Sequence, residues 1–111
     1  MKVMVVGSRN IESFDISEYI PADAELIISG GAKGMDSIAE KYADQHRVSK
    51  LILRPNYKVY GKAAPIKRNE CMVDLADYVL IVWDGASRGT MHTLNYVKKK
   101  NKQYQLIVLS Q

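Results

Sequence analysis

The chain has 111 residues, 47% of them hydrophobic and 25% charged, a composition and length that suit one globular core and are too short for two. An excess of 16 Lys and Arg over 12 Asp and Glu gives a net charge of +4 and a sequence pI near 9.2, which favours anionic partners without naming one. No apolar run approaches the roughly 20 residues of a bilayer span, "MKVMVVGSR" is interrupted too early for a secretory signal, and Cys71 alone excludes an internal disulfide. The expectation is a cytoplasmic protein with no membrane partner, forming a single domain over residues 1–111.

In chain order, the aliphatic run Lys2–Val6 predicts a first strand, which empties into "GSRN" at Gly7–Asn10. "SFDISEYI" predicts a short helix capped by Ser13 or Asp15. Glu25–Ser29 is the second predicted strand, followed by the turn "SGGAKGMD" at Ser29–Asp36. Met35, Ile38, Ala39, Tyr42, Ala43 and His46 then recur at spacings of three and four, the stripe of a helix packed on a sheet. Lys50–Leu53 predicts a third strand. The long segment Arg54–Ala64 after it places Tyr57 and Tyr60 on one side of an extended loop, as anchors over the core or as a stacking surface for a base. A helix is predicted from Pro65 through Ala76, a fourth strand at Tyr78–Trp83, and a helix from Thr90 that buries Met91, Leu94 and Val97 and ends in the solvated cations Lys98–Lys100. Gln105–Leu109 is the fifth predicted strand. Strands alternating with helices define an α/β fold: a single Rossmann-like domain with a mostly parallel five-stranded sheet between helices. Its ligands are expected at the carboxyl edge of the sheet.

Three turns at that edge carry the chemistry. In the second, Gly30, Gly31 and Gly34 permit a tight turn into a helix, whose free N–H groups with Lys33 form an anion site. "WDGASRGT" repeats the device with Gly85, Ser87, Arg88, Gly89 and Thr90. Two such glycine-rich helix starts favour a phosphorylated small molecule as the ligand. Between them, "APIKRNECM" puts Arg68 and Asn69 in the first turns of a helix, where an arginine grips phosphate with two parallel bonds and an asparagine can read a base or ribose edge. The acid-base inventory is thin. Asp36 suits a helix amino end, and Glu70 and Asp84 are the candidate catalytic carboxylates. His46 and His92 read as structural, Cys71 as a buried thiol, and no spacing of ligands points to a metal.

The order "GSR", "SGGAKGMDSIAEKYA", "KRNECMVDLADYVLIV", "SRGT" resembles the SLOG superfamily, which includes the Smf/DprA DNA-processing proteins, the LOG-type phosphoribohydrolases and small stand-alone YspA-like members. The likeness spans nearly the whole chain and is greatest to the YspA-like group. It implies a pocket for a nucleotide or nucleotide derivative, with Gly7, Ser8 and Arg9 in the first loop and Gly30, Gly31 and Gly34 in the second. Arg68 and Asn69 match the "RN" of the Smf proteins, and Gly89 and Thr90 match the "GT" of the LOG block "PGGxGTxxE". The chain departs from that block where the glutamate would stand, at Thr93. The resemblance thus implies a sensor or carrier that binds a nucleotide. The alternatives are a nucleotide N-glycosidase of the phosphoribohydrolase type and single-stranded nucleic-acid binding like that of the Smf proteins. A homo-oligomer is compatible with each.

Overall fold

Val, Ile and Leu pack well on a pleated surface, and five runs dense in them form one sheet in the computed structural model, which describes residues 1–109. The strands are β1 (Lys2–Gly7), β2 (Leu26–Ser29), β3 (Ser49–Ile52), β4 (Tyr78–Trp83) and β5 (Gln103–Val108). All neighbours are parallel, in the order β3-β2-β1-β4-β5. The helices are α1 (Met35–Gln45), the single turn α2 (Tyr57–Tyr60), α3 (Ala64–Leu75) and α4 (Arg88–Lys99). This is the Rossmann-like α/β architecture expected from the sequence, with a sheet that is parallel throughout.

The central strands β1 and β4 share the burial expected of strands covered on both faces. Val3, Val5, Ile27, Leu80 and Val82 face one core layer under α1, and Met4, Val6, Ile28, Val79 and Ile81 face the other under α3 and α4. The edge strands differ. β3 and β5 are largely exposed, so the hydroxyl, amide and ammonium side chains of Ser49, Lys50, Gln103 and Gln105 stay in water. β5 starts two residues before the predicted Gln105, because Gln103 pairs with Tyr78 and the Lys102 ammonium, just before it, donates to the carbonyls of Asp74 and Ala76 at 3.2 and 2.9 Å.

Four expectations are corrected by the packing. "SFDISEYI" gives only a three-residue 3-10 turn, Ser17–Tyr19. The Asp15 carboxylate accepts from the Ser17 amide at 3.0 Å, while Ile11, Ile16 and Ile20 bury their side chains beside α1 and cover the sheet without a helix. The buried stripe of α3 runs through Met72 and Val73, which leaves Cys71 exposed. In α4 the inward face is Thr90, Thr93, Leu94 and Val97, and Met91 points outward. Tyr57 and Tyr60 lie on the helical turn α2, where the Asn56 side chain accepts from the Val59 amide at 3.3 Å, and both rings are exposed and anchor no core. His46 caps the end of α1 and stacks on Tyr42, with ring centroids 4.2 Å apart.

From β1 the chain winds outward to β2 and β3, and then returns to place β4 and β5 on the other side. The connections above β1 and β4 therefore diverge, and a crevice opens at the carboxyl ends of the strands.

Candidate functional site

A cleft of about 680 Å³ occupies that crevice, a volume in the range of about 300–1,000 Å³ that small-molecule sites take. Gly7 and Arg9 enter it from the end of β1, Gly30, Gly31 and Asp36 from the turn after β2, and Arg68 and Asn69 from α3. Ser87, Arg88, Gly89 and Thr90 close the opposite wall. Arg54 and Tyr57 complete it from the segment after β3. The segment Arg54–Ala64 was expected at this edge from its place after the third predicted strand, but Arg54 itself was not among the expected ligand contacts.

Four of the chain's five arginines line this cleft, and none of its eleven lysines does. A guanidinium presents a planar fork of donors suited to carboxylate or phosphate, whereas an ammonium acts as a hydrated point charge. Among the described residues Asp36 is the one carboxylate in the wall.

Arg68 is held in place. Its Nη1 donates to the carbonyl oxygens of Gly30 at 2.6 Å and Leu53 at 3.2 Å, and its Nε donates to Asn69 Oδ1 at 2.7 Å. A Cβ at Gly30 would lie 2.6 Å from Arg68 Nη1 and 3.0 Å from Asp36 Oδ2, so a larger residue there would push the guanidinium out of its place. Burial pulls the Arg68 pKa down and the Asp36 charge opposes that pull. Arg54 Nη1 donates to the Gly31 carbonyl at 3.3 Å, so two arginines grip the second glycine turn by its carbonyl groups.

The amides of that turn are occupied by the chain itself. Gly31 N–H donates to Ser29 Oγ at 3.3 Å and Ala32 N–H to Asp36 Oδ2 at 3.1 Å. The expected phosphate nest thus already contains an anion, the Asp36 carboxylate, which is 7% exposed. Burial pushes the Asp36 carboxyl up, against the opposing pull of the Ala32 amide and the Arg68 charge. The folded chain therefore holds this proton at a pH where the unfolded chain has released it. The resulting stability is full in acid and is lost as pH rises from the ordinary carboxylate range through the raised value. Asp36→Asn keeps an oxygen acceptor for the Ala32 amide, and is expected to be up to about 1 kcal/mol more stable at neutral pH with a flatter acid-side dependence of Tm. Thermal melts between about pH 4 and 7 check this; a variant melting well below the wild type would contradict it.

The third turn is built differently. The Asp84 carboxylate accepts from the Ala86 and Ser87 amides, each at 2.9 Å, bonds that hold its pKa below the usual range. Ser8 latches the first turn to this one, its Oγ accepting from the Asp84 amide at 2.9 Å and lying 3.4 Å from Ser87 Oγ. The Arg88, Gly89 and Thr90 amides then head the twelve-residue α4, where helix geometry supplies no carbonyl for them. Among the described residues, and apart from its own chain neighbours and helix backbone, no atom lies within 4 Å of a Cβ built on Gly89, so this helix start is open.

A relay joins the two sides. Asn69 Nδ2 donates to Thr93 Oγ1 at 3.2 Å, and Thr93 Oγ1 donates to the Gly89 carbonyl at 3.1 Å. Asn69 thereby orients Arg68, with both ends of its amide engaged. Thr93 is 1% exposed, so Thr93→Glu would bury a carboxylate instead of presenting one to the cleft.

Several predicted site residues stand outside the wall. Lys33 and Gly34 line a smaller neighbouring depression that shares only Arg9 with the cleft. Gly34 has φ +77°, and its Cβ would lie 2.6 Å from the Ser8 carbonyl oxygen, which fits it to the contact between the first two turns. Ser8 is buried and Gly85 forms the bend of the third turn. Neither catalytic candidate lines the cleft: Asp84 caps its own turn, and Glu70 pairs with His92 Nε2 at 3.2 Å and Lys67 Nζ at 3.9 Å. Among the described residues no cluster of His, Cys, Asp or Glu has the geometry of a metal site, and no helix is long and apolar enough to cross a membrane.

Fold and site together define a Rossmann-like α/β domain with an arginine-lined cleft at its topological switch point. The chain is similar to the uncharacterized SPbeta prophage-derived protein YoqJ of Bacillus subtilis (strain 168), at 40% identity over 57 residues covering 45% of this chain and 33% of YoqJ. The match thus spans about a third of the length of that curated relative. No family model and no solved structure matches the chain.

Proposed function

We propose that the chain is a SLOG-like domain that binds a nucleotide or nucleotide derivative in this cleft, as a sensor or carrier. The observation that carries the reading is the selective gathering of Arg9, Arg54, Arg68 and Arg88 around one cleft that no lysine lines. A diffuse attraction to polyanions would draw on lysines as readily, whereas guanidinium forks gathered around one cleft with an open helix start favour a discrete phosphate. The phosphate sits on the Arg88, Gly89 and Thr90 amides with Arg88 and Arg9 about it. The exposed Tyr57 ring at the rim offers a stacking face to a base. Binding rather than hydrolysis is favoured because Glu70 and Asp84 are engaged elsewhere and Thr93 is buried.

The test is calorimetric titration with adenosine monophosphate, followed by chromatography of the mixture after hours of incubation. Saturable binding at one site with no free adenine is expected, and Lys99→Ala, at the far end of α4, should change the affinity less than about two-fold. Free adenine that vanishes with Asp36→Asn would replace the binder by a hydrolase using the one carboxylate of the cleft wall.

A further inference from the structure

The two ends of the cleft differ in chemistry. At the start of α4 the chain presents backbone amides, the Arg88 guanidinium and the Thr90 hydroxyl, the last already accepting from Ser87 Oγ at 2.9 Å and so free to donate. At the second glycine turn the Gly31 and Ala32 amides are consumed, and the Asp36 carboxylate lines the cleft beside the Arg54 and Arg68 guanidiniums, which are tied to the turn's carbonyl groups. Asp36 is more than nine-tenths buried. Among the described residues no ion pair includes it. Glu40 stands close by on α1, where it accepts from Ser29 Oγ at 2.9 Å and adds negative charge. A phosphate placed against Asp36 would meet a carboxylate that accepts hydrogen bonds and donates none, with the Arg68 charge nearby already shared with that carboxylate. A group that donates hydrogen bonds fits instead, since a carboxylate offers about four acceptor positions over its two oxygens.

Distance narrows the choice. β2 and β4 flank β1, so the turns that follow them are two strand spacings apart, about 10 Å. With hydrogen bonds of about 2.8 Å at each end, the gap left suits one sugar phosphate. We infer that Asp36 is a specificity residue that accepts hydrogen bonds from the sugar hydroxyls of the bound nucleotide and so fixes its direction, phosphate on α4 and ribose hydroxyls on the second glycine turn. The inference rests on the nucleotide reading above. It selects ribonucleotides over deoxyribonucleotides, because a missing hydroxyl leaves an acceptor position of the buried Asp36 carboxylate unfilled beside the one the Ala32 amide occupies.

Calorimetry with ribose 5-phosphate, 2-deoxyribose 5-phosphate and inorganic phosphate separates the outcomes. The wild type is expected to bind ribose 5-phosphate at least about ten-fold more tightly than the deoxy sugar, and Asp36→Asn should narrow that ratio to about three-fold or less. Equal wild-type affinities for the two sugars, or a ratio that Asp36→Asn leaves intact, would overturn the role of Asp36 while the phosphate site stood. A wild type that binds none of the three probes would overturn the nucleotide reading itself.

Discussion

Arg68→Ala is expected to lower the stability of the protein by about 3 kcal/mol, a fall in Tm of about 10–20 °C for a domain of this size. The guanidinium ties α3 to the carbonyl groups of Gly30 and Leu53 and receives its orientation from Asn69. Its removal leaves two carbonyl groups short of a partner and takes away the positive charge that moderates the Asp36 carboxylate. Urea unfolding measures the loss, and Arg68→Lys should recover only part of it, since a single ammonium cannot serve both carbonyls and Asn69 in the plane of a fork. A loss under about 1 kcal/mol for the alanine variant would mean that these bonds are replaced by water.

The largest effect on binding is expected at Arg88. Its side chain is exposed, lines the cleft and heads α4. Arg88→Ala should therefore weaken a nucleoside monophosphate by roughly ten-fold or more, the loss of one charge-assisted contact of about 1.5–3 kcal/mol, with the melting curve unchanged. Arg68 cannot give so clean a result, because its removal disturbs the wall itself. Calorimetry on Arg88→Ala and Lys99→Ala side by side separates oriented recognition from general charge: equal losses for the two would favour an attraction spread over the surface.

The sheet was legible because each strand is a short aliphatic run bounded by turn residues, and because strands alternating with helices admit few topologies. The edges were less so. Nothing in the apolar pattern announced Gln103 as the first residue of β5, a position that pairing with Tyr78 decides. Helix phase decided Cys71 and Met91, each a residue away from the face that packs inward. At the site, the glycines, Arg68 and the start of α4 were readable as residue types. What they bond to was not. "SGGAKGMD" has the composition of a phosphate nest, yet Asp36 on the first turn of α1 turns its carboxylate back onto the Ala32 amide, a matter of side-chain direction that spacing does not encode. Asn69 and Thr93 likewise meet only because α3 and α4 pack side by side on one face of the sheet.

Amide chemical-shift mapping during titration with adenosine monophosphate tests the arginine cleft most directly. The largest shifts are expected at Gly31, Ala32, Arg88, Gly89 and Thr90, saturating together with a single dissociation constant, while Lys33, Lys41 and Lys98–Lys100 stay nearly still. Shifts spread over those lysines, or their absence from the start of α4, would contradict a nucleotide site at the carboxyl edge of the sheet.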